Sequence, residues 1–388
     1  MGSVISPGKQ FLAGALVIVR FPIPTLARML QLSTSRRALQ FNFPARTSRG
    51  ALTEHMAHYL HLYDSARPHV VGLGEAAPLA GLSPDHRPDF EATLEGFCRE
   101  FNRRQLRELL PEEAAALVGP EWPALRFALE TATLDLQHDG RHCLYDNAFS
   151  RGEAGIPING LVWMGDAPFM RQQIEKKLAE GYSCLKLKIG SLDFETELTL
   201  LREIRAVAGP EQLTLRVDAN GAFRPADALQ KLEQLVAFNL HSIEQPIAAG
   251  QWEAMAEVCR QSAVPVALDE ELIGLTDTEQ RAVLLEQTQP AYIILKPTLL
   301  GGLGASQEWI TAAEAHGIQW WLTSALESSI GLNAVSQFAG SYAQPGFPQG
   351  LGTGQLYHNN VEAPLRIEAG ALHYAPQGTW EPLVPEEA

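Results

Sequence analysis

Charged side chains close five successive short apolar runs in the middle of the chain. Lys188, Asp218, Glu244, Asp269 and Lys296 follow one another at intervals of 25 to 30 residues. One strand, one helix and two short loops of a βα unit together take up such an interval. We therefore expect these five residues at the carboxyl ends of five successive parallel strands, where their side chains would meet.

The three acidic residues of this series predict a metal site. Carboxylates that converge on one point repel one another unless a cation neutralises them. Asp218, Glu244 and Asp269 are not accompanied by histidine or cysteine, and ligands that are all oxygen favour Mg²⁺, with Mn²⁺ as a substitute. Any one of these acids alone would be interpreted as a surface or salt-bridged carboxylate; the series of three favours the metal.

The lysines predict proton transfer next to that metal. A carboxylate substrate loses its α-proton more readily when Mg²⁺ stabilises the enediolate, and a neutral lysine can accept the proton. Such a lysine needs a pKa lowered from about 10.4 toward 7–8. Lys186 lies two residues before Lys188, on the same face of the strand, so we predict that Lys188 is the base and Lys186 lowers its pKa. Lys296, across the barrel mouth, is either a second acid/base or a fixed positive charge.

Residues next to this series are candidates for substrate binding. Arg216 and Asn220 flank Asp218 and could contact the metal ligands or a substrate carboxylate, although Arg216 fits equally well as an interior salt-bridge partner. Ser324 and Ser328 could bind a carboxylate or cap the following helix. Glu270 follows Asp269 directly, so its side chain is expected to point away from the mouth.

A polar loop in the N-terminal half carries one more candidate. Residues 44–50 read Pro-Ala-Arg-Thr-Ser-Arg-Gly and separate two predicted strands. The loop is either a solvated hairpin turn or a mobile cover that brings Arg49 over an active site.

The periodic pattern from Ile158 onward predicts a (β/α)₈ barrel. Amphipathic segments alternate with eight apolar runs, which we expect to be strands near residues 158–163, 184–188, 214–218, 241–244, 265–269, 292–296, 320–324 and 350–354. In such a barrel all carboxyl ends open on one mouth. A doubly wound open sheet is the alternative, but it would place functional charges at one switch point rather than on five successive strands.

The chain outside the barrel predicts a second domain. Residues 29–150 contain alternating runs followed by helical periodicity, which indicates an α+β capping domain, and residues 356–388 are expected to complete it. The barrel then spans 151–355. Residues 1–28 are interpreted as an N-terminal extension: Phe11–Val19 is apolar like a signal-peptide core, but a cleavage site does not follow it.

Composition limits the classes of function. The chain has 388 residues and a formal net charge of −15, which disfavours nucleic acid and anionic membranes as partners but allows a small anionic carboxylate substrate near local lysines. Its four cysteines are scattered without a Cys-x-x-Cys pair, as in proteins of a reducing compartment. No apolar run reaches the roughly 20 residues of a membrane span. We therefore expect a cytoplasmic enzyme, whose oligomeric state the sequence does not specify.

These motifs resemble the enolase superfamily, in its muconate-lactonizing subgroup, where a lysine base works with Mg²⁺. The resemblance covers roughly residues 29–360. It rests on the following segments: Lys186-Leu-Lys188, Asp218-Ala-Asn220, Glu244-Gln-Pro, Asp269-Glu270, Lys296-Pro297, Thr47-Ser-Arg-Gly50, Gly74-Glu75 and Ser324-Ala-Leu-Glu-Ser328.

Within the subgroup the chain most resembles the dehydratases of menaquinone biosynthesis. The resemblance implies syn dehydration of 2-succinyl-6-hydroxy-2,4-cyclohexadiene-1-carboxylate to 2-succinylbenzoate, in which Lys188 removes the α-proton and returns it to the departing hydroxyl while Lys296 stabilises the enediolate. Racemases of N-succinyl- and other N-acylamino acids share these lysines and acids and are the alternative. Dipeptide epimerases typically carry Asp-x-Asp near the eighth strand, where this chain has Gly350–Gly354. A barrel that binds an anion without chemistry is the non-enzymatic alternative.

Overall fold

The computed structural model describes residues 1–2, 28–47, 50–344 and 346–385. Almost all of the interpreted N-terminal extension, including Phe11–Val19, lies outside these residues, and so does Arg49.

The first part of the chain folds as a three-stranded antiparallel sheet covered by helices. The strands are β1 (Leu30–Thr47), β2 (Gly50–Asp64) and β3 (Arg67–Ala76), and the helices are α1 (Phe90–Arg103), α2 (Pro111–Ala114) and α3 (Pro123–Gln137). The hairpin of β1 and β2 is longer than the sequence pattern indicates, because the pairing continues past an irregularity between Gln40 and Ala45.

Helix α3 lies directly against strand β3 because two glycines leave room for it. A Cβ atom at Gly72 would lie 2.1 Å from the carbonyl oxygen of Ala132, and one at Gly74 would lie 1.8 Å from that of Ala128. Neither position can accept a side chain unless the backbone moves. Strand β3 and helix α3 therefore form one closely packed layer, which we call the β3–α3 layer.

The second part of the chain is a parallel barrel preceded by a short strand, β4 (Ile156–Pro157). Seven strands lie side by side in chain order. They are β5 (Gly160–Val162), β6 (Cys184–Lys188), β7 (Thr214–Asp218), β8 (Ser242–Glu244), β9 (Val266–Leu268), β10 (Tyr292–Leu295) and β11 (Gln319–Leu322). The helices are α4 (Ala167–Ala179), α5 (Phe194–Val207), α6 (Pro225–Leu235), α7 (Trp252–Gln261), α8 (Thr278–Thr288), α9 (Pro297–Leu300), α10 (Leu303–Ala315) and α11 (Ser329–Tyr342).

The predicted eighth strand is replaced by single bridges, so residues 350–354 are not a strand. Gln349 bridges Ile158 and Gly350 bridges Thr323, both in parallel, and a 3₁₀ turn follows at Thr353–Gln355. A Cβ atom at Gly350 would lie 2.4 Å from Oγ1 of Thr323, so only glycine allows this approach. The bridges close the barrel between its first and last strands, and the predicted modified (β/α)₈ fold is confirmed.

The C-terminal segment divides between the two parts of the molecule. Tyr357 bridges Phe41, and Asn42 donates its backbone N–H to the carbonyl of Leu356, so this stretch extends the capping sheet at β1. The hairpin of β12 (Leu365–Glu368) and β13 (Ala371–Tyr374) pairs instead with β4 before the barrel. The stretch at Leu356 and Tyr357 therefore contacts the capping sheet and the hairpin contacts β4. That residues 356–388 complete the capping domain stays a prediction.

The largest apolar cluster fills the space between the barrel strands and their helices. The alternation of side chains along β6 shows how this cluster forms. Leu185 and Leu187 belong to the cluster, while the alternating residues Lys186 and Lys188 face the barrel interior. Of the helices that the structure describes, none has the length and apolar character needed to cross a bilayer.

Candidate active site

The strand register brings the charged residues to one level. Lys188 lies beside Asp218, and Asp218 lies beside Glu244, in the last paired positions of β6, β7 and β8. Asp269 directly follows β9 and Lys296 directly follows β10. The structure therefore places all five residues of the series at the carboxyl end of the barrel, as the spacing predicts.

The three lysines and the acidic residues form a buried network of ion pairs. Lys186 Nζ lies 2.9 Å from Asp218 Oδ2 and also contacts Glu244 Oε2. Lys188 Nζ donates to the same Asp218 oxygen at 2.5 Å, and Lys296 Nζ contacts Asp269 Oδ2. Every one of these residues is buried. Buried charges persist only when they are paired, so the network is internally neutralised.

The pKa values of the two central carboxyl groups, Asp218 and Glu244, are shifted in opposite directions. Burial would raise the pKa of Asp218, but the ammonium groups of Lys186 and Lys188 outweigh it and hold that pKa well below its ordinary value. Burial, together with the negative charge of Asp218, raises the pKa of Glu244 well above its ordinary value. Carboxyl groups whose pKa values are pushed apart in one cleft are typical of catalytic sites.

The lysine ammonium groups respond to the same charges. Burial lowers the pKa of Lys186, but Asp218, Glu244 and Asp269 outweigh it, and the net shift is upward. For Lys296 the pKa is likewise raised, because Asp269 and Glu244 outweigh burial. Both lysines are thus held as cations by the carboxylates around them.

The acidic residues have the chemistry of a magnesium site. Among the described residues no three acidic, histidine or cysteine side chains already surround one point, because Lys186 and Lys296 face the carboxylates in this arrangement. Glu244 nevertheless keeps its Oε1 atom buried without a hydrogen-bond partner. Such an oxygen is costly to bury and available as a ligand, so the residues fit an oxygen-coordinated divalent cation.

A cavity opens directly above this network. It encloses about 680 Å³, including the part open to solvent, which suits a small organic substrate. Its polar surface comes from the three lysines, Asn220 and the hydroxyl residues Thr323, Ser324 and Thr353, while its apolar wall comes from both domains. That wall includes Leu79, Leu82, Leu161, Trp163, Ala325 and Leu326.

The comparisons with known proteins decide the family. Residues 169–379 match the family model described as enolase C-terminal domain-like. An o-succinylbenzoate synthase from Desulfotalea psychrophila is 47% identical over 367 residues, which are 88% of this chain and 98% of that protein. The crystal structure of MenC from Desulfotalea psychrophila has a TM-score of 0.79 at 43% identity and covers 89% of this chain and 99% of that one.

The chain belongs to the o-succinylbenzoate synthase family of the enolase superfamily. The predicted resemblance is confirmed. The fold is shared with a dipeptide epimerase from Enterococcus faecalis whose structure is described as complexed with Mg and the dipeptide L-Leu-L-Tyr. Its TM-score is 0.76 at 20% identity, with 90% of this chain and 97% of that chain covered.

Asn220 lies in the candidate active site, and Glu270 contacts it there. Asn220 Oδ1 accepts from Lys188 Nζ at 2.8 Å, and its Nδ2 donates to Glu270 Oε1 at 3.0 Å. The expectation that Glu270 points away from the mouth is wrong, because the strand has already ended. Asp269 has φ −125° and ψ −78° and starts a 3₁₀ turn that redirects Glu270 inward. Burial, with the charge of Asp269, raises the pKa of Glu270.

Arg216 does not line the cavity, in contrast to its predicted role in substrate binding. It lies beside Lys186, one layer of side chains below Lys188 and Asp218. Its guanidinium stacks on Trp321 at 4.1 Å and donates to the carbonyl of Pro348 at 2.9 Å. Arg216 therefore lies in the barrel interior, below the cavity-lining residue Lys188.

The two predicted serines have different positions. Ser324 lines the cavity, and its hydroxyl donates to Glu327 Oε2 at 2.5 Å and accepts from Thr353 Oγ1 at 2.7 Å. Ser328 lies outside the lining and is the N-cap of α11, where its Oγ accepts from the N–H of Ile330. The predicted helix cap is thus present at Ser328, and its role in substrate binding stays a prediction.

Sequence reasoning missed residues that line the cavity. Leu79 and Leu82 belong to the capping domain, and no motif places them over the barrel. Leu326 has a positive φ of 71°, and Tyr357 holds it by donating to its carbonyl at 2.6 Å. This conformation is rare for a non-glycine residue, so the sequence does not predict it, although Leu326 lies in the segment Ser324–Ser328 that resembles the superfamily.

Proposed function

We propose that this protein converts 2-succinyl-6-hydroxy-2,4-cyclohexadiene-1-carboxylate to 2-succinylbenzoate by dehydration, as a lyase of menaquinone biosynthesis in the cytoplasm. The sequence identity of 47% over nearly the whole length of an o-succinylbenzoate synthase supports this proposal. Lysines that end β6 and follow β10, on opposite sides of a cavity, are consistent with proton removal from a substrate held between them.

Lys188 would be the base. Its Nζ faces the cavity from the end of β6 and is oriented by Asp218 and Asn220. In the neutral form this nitrogen would take the α-proton and then deliver it to the departing hydroxyl group on the same face. Lys186 would stay charged beside it, because the surrounding carboxylates raise its pKa.

Lys296 would remain an ammonium ion throughout the reaction. Its contact with Asp269 and its raised pKa support a fixed positive charge on the far side of the substrate. There it would stabilise negative charge that develops as the α-proton leaves.

Asp218, Glu244 and Asp269 would hold the cofactor, which we propose to be Mg²⁺ with Mn²⁺ as a substitute. Their oxygen donors suit a hard cation, and the Mg-complexed epimerase shares the fold. When bound, the ion would supply positive charge that makes the α-proton of a carboxylate substrate more acidic.

The cavity wall would bind the ring of the substrate. Leu82, Trp163 and Leu326 offer apolar surface to a cyclohexadiene and exclude water from the basic nitrogen. Asn220 and Ser324 would contact its polar groups. The role of Arg49 as part of a cover stays a prediction.

An assay of the purified protein with two substrates tests the proposal. With Mg²⁺ present, we expect loss of the cyclohexadiene substrate and formation of 2-succinylbenzoate, with Lys188→Ala reducing the rate by several orders of magnitude. Lys176→Ala is the control, since that side chain is 70% exposed on α4 and outside the network. Racemisation of an N-succinylamino acid with negligible dehydration would instead establish the alternative, and the absence of any turnover would indicate a binding protein.

A further inference from the structure

Glu130 of the capping domain caps a barrel helix. It lies on α3, is buried, and accepts the backbone N–H of Leu303 at 2.6 Å with Oε2 and that of Gly304 at 2.8 Å with Oε1. A Cβ atom at Gly302 would lie 2.2 Å from Oε2, so the carboxylate is in direct contact with the helix start. The first N–H groups of α10 are thus satisfied by a side chain from the other domain.

Glu75 of the capping domain caps the next barrel helix. It lies on β3 and is fully buried. Its Oε1 accepts the backbone N–H of Ser328 at 2.7 Å, while its Oε2 accepts the Ser328 hydroxyl at 2.6 Å and the N–H of Gly331 at 2.7 Å. Helix α11 therefore also begins against a carboxylate from the capping domain.

Both glutamates belong to the β3–α3 layer, whose strand and helix are in close backbone contact at the two glycines. The helices that they cap follow the sixth and seventh barrel strands. Lys296 and the cavity-lining segment Ser324–Leu326 lie between those strands and those helices. The chain runs from Glu75 directly to Leu79 and Leu82, which form part of the cavity wall.

We infer that Glu75 and Glu130 are positioning residues that together hold the capping domain over the half of the barrel mouth that contains Lys296. With both caps in place, the leucines that follow β3 close the cavity. When either cap is lost, the β3–α3 layer is released from its helix and the closed arrangement becomes less populated. The kinetic part of this inference rests on the proposed dehydration; the structural part does not.

The geometry shows why an amide cannot replace these carboxylates. Each glutamate accepts hydrogen bonds with both oxygens, and on Glu130 both donors are backbone N–H groups. A glutamine has only one acceptor oxygen, so its NH₂ group would face a second donor. Glu75→Gln and Glu130→Gln keep the volume of the side chain and remove part of each cap.

The control is Asp85→Asn. Asp85 is also fully buried and caps a helix, since its Oδ2 accepts the N–H of Ala124 at the start of α3. However, Asp85 and Ala124 both lie within the capping domain. Replacement of this carboxylate tests for general effects of removing a buried charge without touching the contact between domains.

Hydrogen–deuterium exchange measures the caps without reference to catalysis. We expect Glu130→Gln to accelerate exchange at Leu303 and Gly304, and also at Ser328 and Gly331, because one layer carries both caps. Asp85→Asn should leave these four N–H groups protected. Acceleration that is confined to the two N–H groups nearest the substituted residue would overturn the inference, since it would mean that each cap is only local.

Steady-state kinetics in the presence of Mg²⁺ measures the effect on the site. Loss of a cap reduces the population of the closed state, and the apparent substrate affinity falls by the same factor. We expect both variants to raise KM by roughly five- to tenfold, the size of one lost ordinary hydrogen bond, with a smaller effect on kcat. A lowered melting temperature with unchanged KM, at a temperature where the variants are folded, would show a structural role and overturn the inference. If the wild type shows no dehydration, the proposed function fails and the exchange experiment alone decides.

Discussion

Buried Glu130 should make the free energy of unfolding depend on pH in a way that Glu130→Gln removes. Burial raises the pKa of Glu130 to about 7 from an ordinary value of 4.5, outweighing the hydrogen bonds from Gly304 and Leu303 and the charge of Arg126. A carboxyl group whose pKa is raised in the folded state contributes stability that is complete below its unfolded pKa. That contribution is lost as the pH rises through the folded pKa.

The magnitude follows from the shift. One pKa unit corresponds to about 1.36 kcal/mol, so the full contribution is about 3 kcal/mol, of which about 2.5 kcal/mol is lost between pH 5 and pH 8. The amide of Glu130→Gln does not titrate. The stability of the wild type relative to the variant should therefore decrease by about 2–3 kcal/mol over this range, whatever the other groups of the protein do.

Urea denaturation at pH 5 and pH 8 measures this difference, with coincident circular dichroism and fluorescence transitions as the test of two-state unfolding. Glu95→Gln is the control, because the Glu95 side chain is 66% exposed on α1. A difference between wild type and Glu130→Gln that stays constant within about 0.5 kcal/mol would refute the reasoning. An increase with pH would mean that the helix N–H groups outweigh burial and lower the pKa.

Three further outcomes are expected. Gly74→Ala should lower the melting temperature strongly, because the added Cβ would lie 1.8 Å from the carbonyl oxygen of Ala128 and overpacking typically costs about 1–3 kcal/mol or more. Calorimetry measures the melting temperature. Gly209→Ala is the comparison, because a Cβ at that position meets nothing within 4 Å. Treatment with EDTA should abolish dehydration, and added Mg²⁺ or Mn²⁺ should restore it, because three carboxylates are proposed to hold the ion; activity that persists after chelation would contradict that proposal. Ser328→Ala should destabilise the fold by about 1 kcal/mol through loss of the α11 cap, while a large loss of activity without a loss of stability would show instead that the hydroxyl contacts substrate.

The positions that the sequence predicts correctly are those governed by strand periodicity. A strand in a parallel barrel carries its last inward residue to the mouth, so Lys188, Asp218 and Glu244 could be placed from spacing alone. The two-residue period also places Lys186 on the same face. Each of these inferences needs only local geometry repeated along the chain.

The incorrect predictions concern residues whose position depends on where a strand stops or which domain is opposite. Glu270 would point outward on a continued strand, but the 3₁₀ turn after Leu268 reverses it. The eighth strand contracts to single bridges because Gly350 packs against Thr323. The partner of the Ser328 hydroxyl, Glu75, lies 253 residues away in the sequence, so a local pattern does not predict this contact.

The distinction between residues placed by the barrel strands and residues placed by the other domain explains how a site can serve several reactions in the superfamily and still be specific in one protein. The barrel supplies lysines and acids at fixed heights, and a racemase or a dehydratase can use them equally, because proton removal next to a carboxylate is common to both reactions. What differs must lie above the network, where Leu79 and Leu82 of the capping domain face Leu326 of the barrel. We therefore expect the position of the capping domain to influence which substrates fit, and the two buried glutamates at helix starts are the contacts that we infer to hold it in place.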